Sequence, residues 1–170
     1  MSAVQVARGT DEARLADEEG ALEQYVSFRL GDDRYAVPIG RVQEIKCWDA
    51  VTRVPYTPPF LLGVVNLRGA IVPVIDLRLR FALGHAPYDA NTVIVVVRVP
   101  GERGERTAGL VVDAVSEVHD VPVRAIQPAP DLAGMSELAC IRGVAQLEER
   151  LVMLLDVERL VTASILAEAA

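Results

Sequence analysis

LLGVVNLRGAIVPVID, beginning at Leu61, can be laid over IRGVAQLEERLVMLLD, beginning at Ile141, so that Gly63, Val64, Leu67, Val72 and Asp76 fall on Gly143, Val144, Leu147, Val152 and Asp156. The offset is 80 residues throughout. A second echo lies upstream of each copy: VPIGRVQEI, from Val37, matches LVVDAVSEV, from Leu110, with Val42 over Val115 and Glu44 over Glu117. Two copies of one small unit in 170 residues leave each too small to bury a generous core by itself, so the copies must pack against one another.

The unit itself reads as β structure. In YVSFRL, Val26, Phe28 and Leu30 alternate with Tyr25, Ser27 and Arg29, the period of a half-buried strand, and Gly31-Asp32-Asp33 makes a turn. A strand over Tyr35 to Ile39 follows, and the three-residue spacing of Ile39, Val42 and Ile45 predicts a short helical turn that leaves Gln43 and Glu44 outward. Thr52-Arg53-Val54 is extended, and Pro55, Pro58 and Pro59 interrupt the chain before a hairpin whose tip is Asn66-Leu67-Arg68-Gly69. Gly69 suits a turn that needs positive φ, and Pro73 predicts an edge strand or a bulge. Further strands are expected over Thr92 to Val99 and Gly109 to Val112, whereas Val157, Leu160, Val161, Ser164 and Ile165 recur at helical spacing. The fold class is therefore all-β, barrel or sandwich, and the repeat favours one small antiparallel barrel over about 24–86, a second over about 91–156, and a helix over 157–170. Residues 1–23, with Asp11, Glu12, Asp17, Glu18, Glu19 and Glu23 among small residues, read as a flexible acidic leader; removing 1–22 is expected to leave the unfolding midpoint unchanged.

Composition narrows the function. A formal net charge of -7 argues against a phosphate-tracking protein, so nucleic acid is not an expected partner. Apolar runs such as Val93 to Val97 fall far short of the roughly 20 residues that cross a bilayer, and the expectation is a cytoplasmic chain without direct membrane insertion. Cys47 and Cys140 form no C-x-x-C pair and read as small buried hydrophobes. His85 and His119 lie in no nucleophile motif, and a His119-Asp120 neighbour pair on a strand points to opposite faces. No catalytic residue, metal ligand or cofactor site is expected, so the chain works by binding. Trp48 is read as a lid on the core rather than an interface anchor, and Asp76 and Asp156 as turn formers. Arg68 has two readings, a solvated turn residue or a contact point; since its repeat position carries Glu148, the architecture does not require it.

VQEIKCWDAVTRVPYTPPFLLGVVNLRGAIVPVIDLR, residues 42 to 78, closely resembles the CheW family of bacterial chemotaxis coupling proteins. The likeness continues through GLVVDAVSEV, residues 109 to 118, and Ile126-Gln127-Pro128-Ala129-Pro130, and covers about residues 24 to 160. What the resemblance implies is a pair of five-stranded SH3-like barrels. It also implies a scaffold between the cytoplasmic tips of methyl-accepting chemoreceptors and the regulatory domain of the histidine kinase CheA, recruited to membrane-associated arrays. Carried over by position, Glu44, Arg68 and Val118 match receptor-binding positions, and Val42 and Gly63 match positions tied to kinase binding. The alternatives are a coupling protein of a sister chemosensory pathway, in twitching motility or development, and a barrel-type nucleic-acid-binding module.

Overall fold

The computed structural model describes residues 21–129 and 140–169. The expected acidic leader lies outside the described residues up to position 20. Ten strands follow one another as β1 (Leu22–Leu30), β2 (Asp33–Pro38), β3 (Val42–Cys47), β4 (Leu61–Leu67), β5 (Ala70–Asp76), β6 (Val93–Gly101), β7 (Gly104–Val112), β8 (Ala114–Pro122), β9 (Ile141–Leu147) and β10 (Arg150–Leu155). Helix α1 (Leu77–Arg80) follows β5, and α2 (Val157–Ala169) follows β10. The helical turn expected around Ile39 is a single 3-10 turn, Ile39–Arg41, and the chain is extended again from Val42.

Pairing makes two five-stranded sheets, ordered β8-β1-β2-β10-β9 and β3-β6-β7-β5-β4. Read through the repeat, the two orders are one order with the halves exchanged: β1-β2 stands where β6-β7 stands, and β8, β9 and β10 stand where β3, β4 and β5 do. The expectation that residues 24–86 and 91–156 each close a barrel is therefore corrected. The terminal barrel takes β1 and β2 from the first half and three strands from the second; the central barrel takes β3 to β5 from the first and β6 and β7 from the second. Nor is either sheet wholly antiparallel, because β10 runs parallel to β2 and β5 parallel to β7. A parallel neighbour cannot be reached through a tight turn and needs a long connection, so the partner comes from the other half of the chain. Alternation of side chains specifies a strand and its buried face but not which strand lies beside it.

Each sheet curls closed through one bridge beyond its named strands. In the central barrel Thr52 and Val64 exchange backbone hydrogen bonds of 2.9 and 2.8 Å, and in the terminal barrel Gln127 and Val144 exchange two of 2.8 Å. Pro73 sits in β5, between β4 and β7 rather than at an edge. It is tolerated because the parallel ladder to β7 starts only at Val74, leaving the prolyl nitrogen no partner to disappoint.

Three apolar clusters follow from this arrangement. Val26, Phe28, Tyr35 and Val37 from one sheet meet Val95, Val97, Leu110 and Ile75 from the other, and α2 adds Val157, Leu160 and Val161 to the same inter-barrel core. The terminal barrel is filled by Tyr25, Ala36, Val121, Ala145, Val152 and Leu154, and the central one by Val74, Ile94, Val96 and Val111. Asp76 and Asp156 do more than form turns. Asp76 Oδ1 accepts from the amides of Arg78 and Leu79 at the start of α1, and Asp156 Oδ1 accepts from Arg159 at the start of α2.

The ladder reaches further toward the N-terminus than the sequence suggested, since Leu22 and Glu23 pair with Pro122 and Val121. Arg142 on β9 grips Glu23 through two contacts of 2.9 and 3.0 Å, and donates to the hydroxyl of buried Tyr25 at 2.7 Å. Tyr25 donates in turn to Glu23 at 2.6 Å. The Arg142 guanidinium holds the Glu23 carboxyl below its ordinary 4.5, against the opposing pull of partial burial. A depressed acid stabilises the fold above its unfolded pKa, and that share is lost as pH falls through the folded value. Glu23→Gln should therefore be less stable than wild type at pH 7, with the gap closing below about pH 4.5 in denaturant melts at stepped pH. The exchange of strands makes a second prediction. Residues 1–90 and 91–170 expressed separately should each fail to fold, whereas co-expressed they should assemble into one native, cooperatively melting complex; independent folding of either piece would contradict the exchanged topology.

Candidate docking surface around the β4–β5 hairpin

Leu67 pairs with Ala70, so β4 and β5 are joined by the two residues Arg68 and Gly69. Both have positive φ, 53° and 88°, the signature of the mirror-image turn whose twist matches that of the strands. Asn66 Oδ1 accepts the Gly69 amide at 2.8 Å and steadies the tip. The equivalent turn of the terminal barrel holds Glu148 and Glu149 at φ 50° and 65°, with no glycine at all. Arg68 thus occupies a conformation that costs a side-chain-bearing residue roughly 1–2 kcal/mol. From there its guanidinium reaches Glu44 on β3 at 2.8 Å, while 78% of the side chain stays exposed and Glu44 is mostly covered. The structure brings these two sequence-selected residues together.

Val118 lies on the other barrel, on β8 opposite Val26. By the repeat its counterpart is Ile45, and both are exposed, 51% and 43%. Ile71 and Leu151, 80 residues apart just beyond the two hairpin tips, match in the same way at 66% and 68%. Each barrel therefore shows an exposed aliphatic pair beside its hairpin. Their charge differs: where the central barrel pairs Glu44 with Arg68, the terminal barrel has Glu117 and Glu148. These two and His119 are the one group among the described residues able to offer three metal-ligating atoms, all within 4.8 Å of each other. His119 Nε2 lies 3.0 Å from Ser27 Oγ, which donates to the Glu117 backbone carbonyl at 3.2 Å, so the imidazole is held by the sheet while the two carboxylates are exposed.

Val42 and Gly63 belong to the interior of the design rather than to its surface. Val42 packs, partly buried, against the inter-barrel core. Gly63 has φ +149°, and a Cβ there would stand 2.1 Å from the Thr52 carbonyl oxygen. Only glycine lets β4 come close enough for the Thr52–Val64 bridge. Gly143 repeats the device, its Cβ position 2.6 Å from the Gln127 carbonyl oxygen. Gly63 can influence docking only through the segment that it holds in place, residues 52–60.

Cys140 is buried as expected, but Cys47 is exposed: β3 alternates, and Cys47 falls on the same outward phase as Gln43 and Ile45. Trp48 stacks on Tyr88 at 4.1 Å and leans on the central-barrel core, the position of a lid. Tyr88 donates to Asp76 Oδ2 at 2.6 Å, and burial followed by this carboxylate pushes the phenol well above its ordinary 10. Sequence reasoning missed the aliphatic pairs and the Glu23–Tyr25–Arg142 clamp. The 80-residue register was the available signal for Ile71 and Leu151.

Residues 24–164 match the family model described as CheW-like domain. The chain is 41% identical over 155 residues to the chemotaxis protein CheW of Klebsiella aerogenes, covering 91% of this chain and 90% of that one. It is 34% identical to protein FrzA of Myxococcus xanthus, covering 78% and 79%. The crystal structure of the scaffolding protein TtCheW from Thermoanaerobacter tengcongensis superposes with a TM-score of 0.74 at 32% identity, covering 82% of this chain and 92% of that one.

The close approach at Gly63 is directly testable. Gly63→Ala should lose roughly 3 kcal/mol or more of stability, because the clash is with backbone and cannot be relieved by a rotamer change. Thermal melts that differ from wild type by less than about 1 kcal/mol would show that the bridge yields cheaply.

Proposed function

This chain belongs to the CheW-like domain family, and from that membership we propose that it joins the cytoplasmic tips of chemoreceptors to the regulatory domain of the histidine kinase CheA. It is a non-catalytic chemotaxis adaptor. The observation that carries the proposal of a receptor face is the Glu44–Arg68 pair, held at 2.8 Å on a strained hairpin tip beside exposed aliphatic side chains. A guanidinium so placed loses little conformational freedom on docking, because Glu44 already fixes its direction, and it keeps donors for a partner's acceptors. The receptor face comprises Glu44 and Arg68 on the central barrel and Val118 on the terminal one; Val42 and Gly63 support the kinase face from within.

Faces of this size give modest single contacts. An array of many receptors, kinases and adaptors multiplies them by effective concentration, and a change in receptor state need bias the kinase by only about 1–3 kcal/mol. Among the described residues no helix is long and apolar enough to cross a membrane, and recruitment to the membrane-associated array proceeds through the receptor. The likeness to FrzA favours, as the second reading, the same coupling role in a sister chemosensory pathway.

Arg68→Asn separates contact from scaffold. Asparagine tolerates the left-handed turn and removes the guanidinium, and a half-exposed ion pair is worth only about 0–1 kcal/mol, so the unfolding midpoint should stay level or rise. Binding to a receptor tip fragment, measured by calorimetry, should weaken by about 2 kcal/mol while binding to the kinase regulatory domain is retained. Wild-type receptor affinity in this variant would make Arg68 a solvated turn residue and nothing more.

A further inference from the structure

Each barrel leaves two strands at the ends of its sheet order, β3 and β4 in one and β8 and β9 in the other. The central barrel joins its ends at the hairpin tip, where Glu44 on β3 meets Arg68, the residue that follows β4. The terminal barrel repeats the frame for such a clip. Glu117 stands on β8 where Glu44 stands on β3, each beside a slip in the ladder register, and Glu148 follows β9 as Arg68 follows β4. Two residues on, the same correspondence sets His119 against Lys46. Two cations and a carboxylate have become an imidazole and two carboxylates. Among the described residues no Lys or Arg pairs with Glu117 or Glu148.

What the terminal barrel lacks is therefore a cation, and the three side chains that surround its place are metal ligands. One ligating atom from each of Glu117, His119 and Glu148 lies within 4.8 Å of the other two. Donors on one zinc-sized ion stand roughly 3–4 Å apart, a spacing that the exposed glutamates reach by small rotations. The imidazole is the fixed member, with only 10% of its side chain exposed. A further exchange between the barrels supports it. Ser27, fully buried, occupies the ladder position of Val96, and its hydroxyl touches His119 Nε2 at 3.0 Å and the Glu117 carbonyl at 3.2 Å. A buried hydroxyl in place of a valine holds the ring as an outer-shell partner holds a metal-binding histidine.

We propose that Glu117, His119 and Glu148 bind a divalent transition-metal ion of the zinc class, which clips β8 to the β9–β10 hairpin as the Glu44–Arg68 pair clips β3 to the β4–β5 hairpin. Imidazole with two carboxylates selects such an ion over magnesium or calcium, which prefer oxygen alone. Three protein ligands leave a position for water. Spacing along the chain conceals the group, because Glu148 arrives on a distant hairpin.

The test is calorimetry and thermal melting of the tag-free, metal-stripped full-length chain with zinc chloride or magnesium chloride. Wild type should bind one zinc ion and melt higher with it, and magnesium at the same concentration should do neither. His119→Ala and Glu148→Arg should each bind zinc at least about tenfold more weakly, whereas Cys47→Ser should bind as wild type does. Glu148→Arg carries its own check on folding. Arginine already occupies this left-handed turn at Arg68, so the variant should pair with Glu117 and, without metal, melt at or above metal-free wild type. No zinc binding by wild type overturns the proposal, as does zinc affinity within twofold of wild type in either ligand variant. Magnesium binding as tight as zinc, or loss of zinc in Cys47→Ser, overturns it equally.

Discussion

Four strand pairings, parallel for β2 with β10 and β5 with β7 and antiparallel for β1 with β8 and β3 with β6, hold the molecule together. Each joins the first half of the chain to the second, so neither barrel exists until both halves are made. The inter-barrel core then forms as a consequence, with Phe28 and Tyr35 of the terminal barrel against Leu110 and Ile75 of the central one and α2 laid beside them. A small barrel with little interior gains stability by sharing its outer face, and exchange of strands makes that sharing obligatory.

The proposed docking surface is built on the places where this economy leaves strain. Both hairpins use the tightest connection, which forces positive φ on Arg68, Glu148 and Glu149. Both barrels close through a bridge that admits only glycine on the facing strand, at Gly63 and Gly143. The tips and loops so fixed are rigid and exposed, which is what a coupling protein needs: contacts that bind modestly, without a large ordering cost, on more than one face. The repeat adds a further property. It copies the aliphatic pair, Ile45 and Ile71 on one barrel and Val118 and Leu151 on the other, while the charges beside them diverge from an ion pair to two carboxylates. Shared architecture thus presents two surfaces of like shape and different charge.

Much was legible in the amino-acid order. Period-two alternation marked the strand of YVSFRL, a β-branched apolar run marked that of residues 92–99, the 80-residue register revealed two copies, and the spacing of Val157, Leu160, Val161 and Ser164 marked the last helix. GVVNLRG fixed the hairpin and singled out Arg68. These are local properties: side-chain period and turn chemistry act over a few residues, and a chain reports them without knowing its neighbours. Tertiary structure alone decided partnership. That β1-β2 would join β8 and β10, that Cys47 would face water, that Glu23 would be gripped by Arg142 and that Gly63 would face a carbonyl all depend on segments distant in sequence. The physical reason is that backbone hydrogen bonding is generic. Every strand edge can accept any other, and only the summed fit of buried faces across the whole chain selects one pairing.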